Sequence, residues 1–131
     1  MRTPIDSFEA FWPHYVRAHQ HPSNRVLHAM GTSMGVAMAL AAVITRRPRL
    51  VPLGLVLGYG PAWIGHFFVE GNRPATFGHP LWSLKGDFVM LRHMIAGTMD
   101  AEIARAQAAE AAPASEAPVE AAPSRTDPSL N

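Results

Sequence analysis

The sequence predicts an all-α membrane protein, in which a hairpin of two apolar helices is flanked by amphipathic helices and followed by a disordered C-terminal tail. Two runs of residues support this fold. Ala29 to Thr45 is seventeen residues long and has no charged side chain, and Leu50 to Val69 is twenty residues long and uncharged apart from His66. A helix needs roughly 20 apolar residues to cross a bilayer. The alternative is a soluble helical bundle.

The linker between the two runs predicts their arrangement. Arg46-Arg47-Pro48-Arg49 is a short connection, and helices joined by short connections lie antiparallel. In the first run, Gly31 and Gly35 form a small-xxx-small pair, which allows close approach of helix backbones within one chain or between copies. An oligomer is therefore allowed by the sequence but not required by it.

A further helix is predicted before the hairpin, from Asp6 to about Gln20. Asp6 or Ser7 can serve as its N-cap, and aromatic and aliphatic residues follow at helical spacing. Pro13 predicts a kink or a later start. The stripe suits a helix on a membrane surface and a helix packed into a protein core equally well.

After the hairpin, Gly71 to Gly86 contains several prolines and glycines and predicts an ordered loop. A second amphipathic helix is predicted from Asp87 to about Gln107. Beyond it the chain consists mainly of Ala, Pro, Glu and Ser, a composition that predicts disorder. We therefore divide the chain into a membrane-embedded helical domain, residues 1–106, and a disordered tail, residues 107–131.

Composition excludes several classes of function. The chain has no cysteine, which rules out disulfides, thiolate metal sites and thiol catalysis. Residues 1–99 carry nine Lys and Arg against four Asp and Glu, whereas residues 100–131 carry two against six. Basic residues beside apolar helices favour contact with membrane lipid headgroups. They are too few and too scattered for a nucleic-acid groove.

Four histidines bracket the two apolar runs. His19 and His28 lie just before the first run, His66 closes the second, and His79 follows it. In an antiparallel hairpin all four imidazoles would lie at the open end, which predicts a metal site there. Imidazole binds Fe, Zn, Cu and Ni, so the residues alone leave the metal open.

Other residues could complete such a site. Asp87 and Glu70 are the acidic residues nearest the four histidines, and either could complete a two-histidine, one-carboxylate set or could serve as a helix cap or an arginine partner. His21, two residues after His19, and Asn24, four residues before His28, are further candidates.

Two other interpretations of the histidines remain open. They could be structural, hydrogen-bonding the loop after the hairpin onto the helix ends of a non-enzymatic membrane protein. They could also bind a metal or a haem for electron transfer, since histidine is a common axial ligand of haem. Phosphate-binding loops, the Gly-x-Ser-x-Gly elbow and the His-Glu-x-x-His motif are absent from the sequence.

Several segments resemble a family of small membrane proteins. The resemblance covers roughly Phe8 to Met99 and is carried by four segments: Phe11 to Tyr15, His19 to Thr32, His66 to Phe77 and Pro80 to Phe88. The family contains many uncharacterised bacterial proteins and, more distantly, the yeast endoplasmic-reticulum dioxygenase of fatty-acid α-oxidation. This chain differs from its bacterial relatives in having His21 where Asn is expected and Leu91 where an aromatic residue is common.

The resemblance implies an Fe(II)-dependent dioxygenase that uses O2 to shorten 2-hydroxy fatty acids by one carbon with release of CO2. It implies His19, His28 and His66 as iron ligands, with His79 as a fourth. From charge and position we expect Arg25 or Arg73 to bind the substrate carboxylate.

We expect an integral protein of the bacterial inner membrane with cytoplasmic termini, and no cleavable signal peptide is evident. The positive-inside rule gives opposing signals, because arginines lie both in the linker and at the other end of the hairpin.

Overall fold

The computed structural model describes residues 5–111, and this part of the chain is all-α. The helices are α1 (Phe8–Arg17), α2 (Pro22–Thr45), α3 (Leu50–Ile64), α4 (Pro80–Ala96) and α5 (Met99–Ala111). A π-helical segment, Gly65–Glu70, continues α3, and a single 3-10 turn, Ala75–Phe77, precedes α4. The predicted all-α fold is confirmed. The predicted disordered tail lies outside the described residues from 112 onward, whereas residues 107–111 are the last turn of α5.

Helices α2 and α3 form the predicted antiparallel hairpin. Arg46 ends α2 in the left-handed conformation, with φ of 53°, and turns the chain toward α3. The helices meet through their glycines: a Cβ on Gly31 would lie 2.2 Å from the carbonyl oxygen of Gly58, and a Cβ on Gly54 would lie 2.9 Å from the Cβ of Met38. The small-xxx-small pair therefore serves contact within the chain.

Both arms of the hairpin are long enough to cross a membrane. The segments Pro22–Thr45 and Leu50–Glu70 meet the length and hydropathy of a membrane span. Helix α2 begins seven residues before the uncharged run, because Pro22 stands in its first turn and the His21 ring accepts a hydrogen bond from the Ser23 amide.

The remaining helices pack around a compact core at the open end of the hairpin. Phe11 and Tyr15 from α1, Met90 from α4, and Met99 and Ala106 from α5 are buried there. Ser7 is the N-cap of α1, as predicted, and its side chain accepts from the Ala10 amide. Helix α1 runs through Pro13 without ending.

The prediction for residues 71–107 was wrong in two places. Helix α4 begins at Pro80 instead of Asp87, because proline is well suited to the first turn of a helix. The predicted helix from Asp87 to Gln107 is in fact two helices, since Gly97 adopts a φ of 68° and ends α4. This bend folds α5 back against α1.

Candidate metal centre

Three histidines from three separate elements converge at the open end of the hairpin. His19 lies in the turn after α1, His28 lies in α2, and His66 lies in the π-helical segment. The three ring centroids are 4.4, 4.6 and 4.9 Å apart, and each pair of rings is within about 13° of perpendicular. One nitrogen from each ring lies within 4.8 Å of the others. All three side chains are buried.

His66 is the second residue of the π-helical segment that continues α3. Hydrogen bonds spanning five residues widen the helix by one residue per turn, which rotates the following side chains relative to an α-helix, and such segments are frequent at functional sites. Gly65 makes the close approach to α2 feasible, because a Cβ there would lie 1.9 Å from the Oδ1 atom of Asn24. Gly71, with φ of 68°, ends the segment.

Each of the three rings is held at its Nδ1 atom by an oxygen. His19 Nδ1 donates to the Tyr15 carbonyl (2.6 Å), and His28 Nδ1 donates to Asp87 Oδ1 (3.0 Å). His66 Nδ1 donates to Asn72 Oδ1 (2.6 Å). Since a carbonyl and a carboxylate oxygen can only accept, the proton of His19 and of His28 is fixed on Nδ1.

The amide of Asn72 fixes the third ring in the same way. Asn72 Nδ2 donates to the carbonyl of Ala18 at 3.0 Å, which leaves Oδ1 facing His66 as an acceptor. All three imidazoles are therefore Nδ1-protonated in their neutral form, with a lone pair on Nε2. Metal-binding histidines are held by such oxygen partners as a rule.

The Nε2 atoms of His19 and His28 are only 3.2 Å apart. With both protons on Nδ1, two lone pairs face each other across this distance, an arrangement that a cation between them would stabilise. Bonds of about 2.0 to 2.1 Å to one metal ion place two nitrogens roughly 3 to 3.4 Å apart. Burial, and then the neighbouring His28, lowers the pKa of His19 well below its ordinary value. The residues present fit a metal ion.

Asp87 connects this cluster to helix α1. Its Oδ1 atom accepts from His28 and also from the Tyr15 hydroxyl. Burial, and then the Asp87 carboxylate, raises the pKa of the Tyr15 phenol well above its ordinary value. The Tyr15 ring stacks on His19, with centroids 4.0 Å apart. Asp87 thus contacts His28, and Tyr15 contacts Asp87 and His19.

Three of the other predicted ligands have different partners. His79 packs its ring against Phe11 and Trp82 and lies outside the group of three. His21 caps α2, and its backbone amide donates to Glu70 Oε1 at 2.6 Å. Glu70 Oε1 also accepts from Asn24 Nδ2 at 3.4 Å, so this carboxylate ties the π-helical segment to the start of α2.

Asn24 is buried beside Gly65, and its Oδ1 atom has no hydrogen-bond partner. Arg25 is buried, and its Nη1 donates to the carbonyls of His19 (3.0 Å) and Gln20 (2.5 Å). Arg73 is exposed, with its guanidinium over the Phe77 ring. Of the two arginines, only Arg25 directly contacts a residue of the histidine group.

Sequence reasoning missed Tyr15 and Asn72. Tyr15 belongs to the aromatic stripe of α1, where nothing in the spacing distinguishes a packing ring from one that donates to a carboxylate. Asn72 lies six residues after His66 in a loop of prolines and glycines. A short polar side chain just after a histidine-containing helix is the signal that could have identified it.

A family comparison covers most of the described residues. The model of the family described as 2-hydroxy-palmitic acid dioxygenase Mpo1-like matches residues 5–99, a range that contains all three histidines, Tyr15, Asn72 and Asp87. No curated protein and no solved structure matches the chain. Because the family model spans well over half of the sequence, the chain belongs to the 2-hydroxy-palmitic acid dioxygenase Mpo1-like family.

Proposed function

We propose that this protein is an Fe(II)-dependent dioxygenase of 2-hydroxy fatty acids, with His19, His28 and His66 as its metal ligands. The observation that supports this most strongly is the convergence of three Nε2 lone pairs in a buried cluster, each ring held at Nδ1 by an oxygen acceptor. The family description supplies the substrate class and the reaction type.

The donor set suits such a centre. Three protein ligands leave coordination positions open, as catalytic metal sites require. Iron bound there would supply open positions for a 2-hydroxy carboxylate and O2. Thiolates are absent from the chain, and imidazole alone also accepts Zn, Cu and Ni, so the choice of iron rests on the reaction that the family description implies.

The chain's own residues prepare the site. Asp87, Asn72 and the Tyr15 carbonyl keep the Nε2 atoms deprotonated and fix the planes of the three rings. Burial of the cluster limits access of bulk water. Tyr15 covers one face of His19 and holds Asp87 in turn. We do not include His79, His21, Glu70 or Asn24 in the proposed ligand set.

The membrane supplies the rest of the environment in this proposal. Two helices are long and apolar enough to span a bilayer, and a fatty-acid substrate would partition into the same bilayer. The bacterial inner membrane and cytoplasmic termini remain predictions from sequence. Binding of the substrate carboxylate by Arg25 or Arg73 is likewise a prediction from sequence. The contact of Arg25 with the His19 carbonyl supports Arg25 for this role.

Metal content and turnover test this proposal together. Purified protein is reconstituted anaerobically with Fe(II), analysed for metal and supplied with 2-hydroxypalmitate and O2. We expect about one iron per chain and an O2-dependent product one carbon shorter. Iron binding and product formation should both be lost in each of three variants, His19→Ala, His28→Ala and His66→Ala. His93→Ala is the control, because that ring bonds to Thr98 outside the group of three.

The same experiment tests a second candidate, a non-enzymatic membrane protein with structural histidines. The hydrogen bond from His28 to Asp87 joins α2 to α4, and that from His66 to Asn72 holds the π-helical segment to the loop that follows it. These two contacts favour this alternative. It predicts no stoichiometric metal in the wild type and a lower unfolding temperature in the histidine variants. Haem fits less well, since three rings within 4.9 Å of one another leave no room for a macrocycle between them.

A further inference from the structure

An apolar groove runs along the hairpin from the histidine cluster. It has a volume of about 280 Å³ and lies between α2, α3 and α4. Its floor is formed by the glycines through which the two hairpin helices approach each other closely, and its walls include Val36, Leu55 and Phe88.

The inner end of the groove adjoins the candidate metal centre. Asp87 lines the groove and also accepts the hydrogen bond from His28 Nδ1. Gly31, one helical turn after His28, lines the same end, opposite Gly58. Asp87 is the sole charged residue among the described residues that line the groove, and the other lining residues are apolar except for Thr32 and Tyr59.

The outer end of the groove is formed by Ala39 of α2 and Val51 of α3. Gly31 and Ala39 are eight residues apart on one helix, which corresponds to about 12 Å at 1.5 Å per residue. The groove therefore extends along the hairpin, with a polar end at Asp87, which contacts His28, and an apolar end at Ala39 and Val51. This shape suits an unbranched alkyl chain with a polar head.

We propose that this groove binds the alkyl chain of the 2-hydroxy acid, with the head at the three histidines and with Ala39 and Val51 determining the preferred chain length. The proposal rests on the proposed function for its substrate class. Chain carbons beyond Ala39 and Val51 would leave the groove and contact lipid, so they would add little to binding.

Photolabelling tests the location of the chain without relying on turnover. The probe is a 2-hydroxy fatty acid with a terminal diazirine, applied to metal-free and to iron-loaded protein. We expect crosslinks on residues near Ala39 and Val51, prevented by excess 2-hydroxypalmitate but not by phosphatidylcholine. Crosslinks spread over the exposed hairpin surface, or prevented equally by phosphatidylcholine, would show that the groove is a lipid contact and would overturn the proposal.

A substitution pair tests the length dependence. Ala39→Trp fills the outer end of the groove, whereas Ala37→Trp places the same ring on an exposed position of α2 outside the groove. We expect Ala39→Trp to lower the preference for 2-hydroxypalmitate over 2-hydroxydecanoate in probe competition by about tenfold, the effect of losing roughly two buried methylene groups. Ala37→Trp should leave this ratio unchanged. An equal effect of both substitutions, or of neither, would contradict the assignment.

The two proposals fail separately in these experiments. Groove labelling without iron or turnover would overturn the dioxygenase but keep the alkyl-chain site. Turnover by protein that is labelled elsewhere would keep the enzyme and place its substrate chain outside this groove.

Discussion

The open end and the closed end of the hairpin are stabilised by different interactions. At the open end, Phe11, Tyr15 and Met90 are completely buried, and side chains from α1, α4 and α5 surround them. At the closed end, Val43 and Ile44 are 76% and 79% exposed. There most of the large apolar side chains of the two helices face outward, whereas the close glycine contacts lie nearer the middle of the hairpin and its open end.

The two ends of the hairpin differ in how much of their apolar surface the protein itself covers. The open end resembles the core of a soluble protein, with buried apolar side chains and a connected set of hydrogen bonds around the histidines. The closed end exposes large apolar side chains on both helices, among them Leu40, Val43, Ile44, Leu55 and Val56, and such exposed apolar surfaces mark sites of contact with a membrane or another protein. A bilayer around the closed end would cover that surface. The candidate metal centre lies at the open end, where hydrogen bonds within the chain hold its three rings.

Truncation of a large apolar side chain at each end tests the contrast most strongly. Phe11→Ala should lower the free energy of unfolding by about 3 to 5 kcal/mol, because it leaves a cavity in a packed core. Val43→Ala should change it by less than about 0.5 kcal/mol in detergent, since that side chain is exposed. Denaturant unfolding in micelles, followed by circular dichroism, measures both. Similar losses at the two sites would contradict the contrast.

Glycine substitutions in the hairpin should produce the next largest effect. Gly31→Ala places a methyl group 2.2 Å from the Gly58 carbonyl oxygen, so the helices must separate, at a cost of about 3 kcal/mol. Gly60→Ala is the matched control, because its Cβ would meet no atom within 4 Å. The control should be neutral or slightly stabilising, as Ala favours helix over Gly. Thermal unfolding of both variants in the same detergent provides the comparison.

The closed end could be predicted from sequence in more detail than the open end. Two uncharged runs and a short linker were sufficient to predict the hairpin, because these features can be recognised within a continuous stretch of sequence. The start of α4 at Pro80 was missed because a segment containing Pro74, Gly78 and Pro80 was interpreted as loop throughout. Proline in the first turn of a helix and proline in a loop look the same in sequence.

The histidine group was predicted only in part for a related reason. The topology of the hairpin predicts four histidines at one end, and the family resemblance favours His19, His28 and His66 among them, the three that converge in the structure. Their partners Asp87 and Asn72 depend on the π-helical segment and on how α4 crosses α2, and such packing leaves no periodic signal. His79 was predicted to join the other three histidines. Its ring packs against Trp82 instead.

Removal of the Asp87 charge should weaken metal binding at the open end. Asp87→Asn weakens the hold on His28 Nδ1 and should lower metal affinity about 10- to 100-fold, or about 1.4 to 2.7 kcal/mol. The measurement is metal titration with circular dichroism to verify folding. Asp6→Asn is the control, because that carboxylate is exposed in the segment before α1 and lies outside the histidine group. Unchanged affinity in folded Asp87→Asn protein would exclude a positioning role for this carboxylate.

The smallest predicted effect concerns the contact between α5 and α1. Glu102 accepts a hydrogen bond from Trp12 Nε1 at 2.8 Å and pairs with Arg105. The Trp12 hydrogen bond, with Arg105 in support, lowers the pKa of the Glu102 carboxyl below its ordinary value. A lowered pKa in the folded state means that the ionised carboxylate stabilises the fold above the unfolded-state pKa, and that this contribution is lost as the pH falls through the folded-state pKa.

Glu102→Gln should therefore lower stability by about 1 kcal/mol near neutral pH, and the deficit should shrink as the pH falls below the ordinary range of a carboxyl group. Comparison of thermal unfolding for the wild type and the variant at each pH isolates this contribution from the other carboxylates. Glu110→Gln, at the exposed end of the same helix, is the matched loss of one negative charge. If the loss of stability in Glu102→Gln stays constant with pH, the Glu102 side chain stabilises the fold through its packing and not through its charge. In that case the contact between α5 and α1 would depend on packing and on hydrogen bonds that a neutral amide can also make, and not on the charge of Glu102.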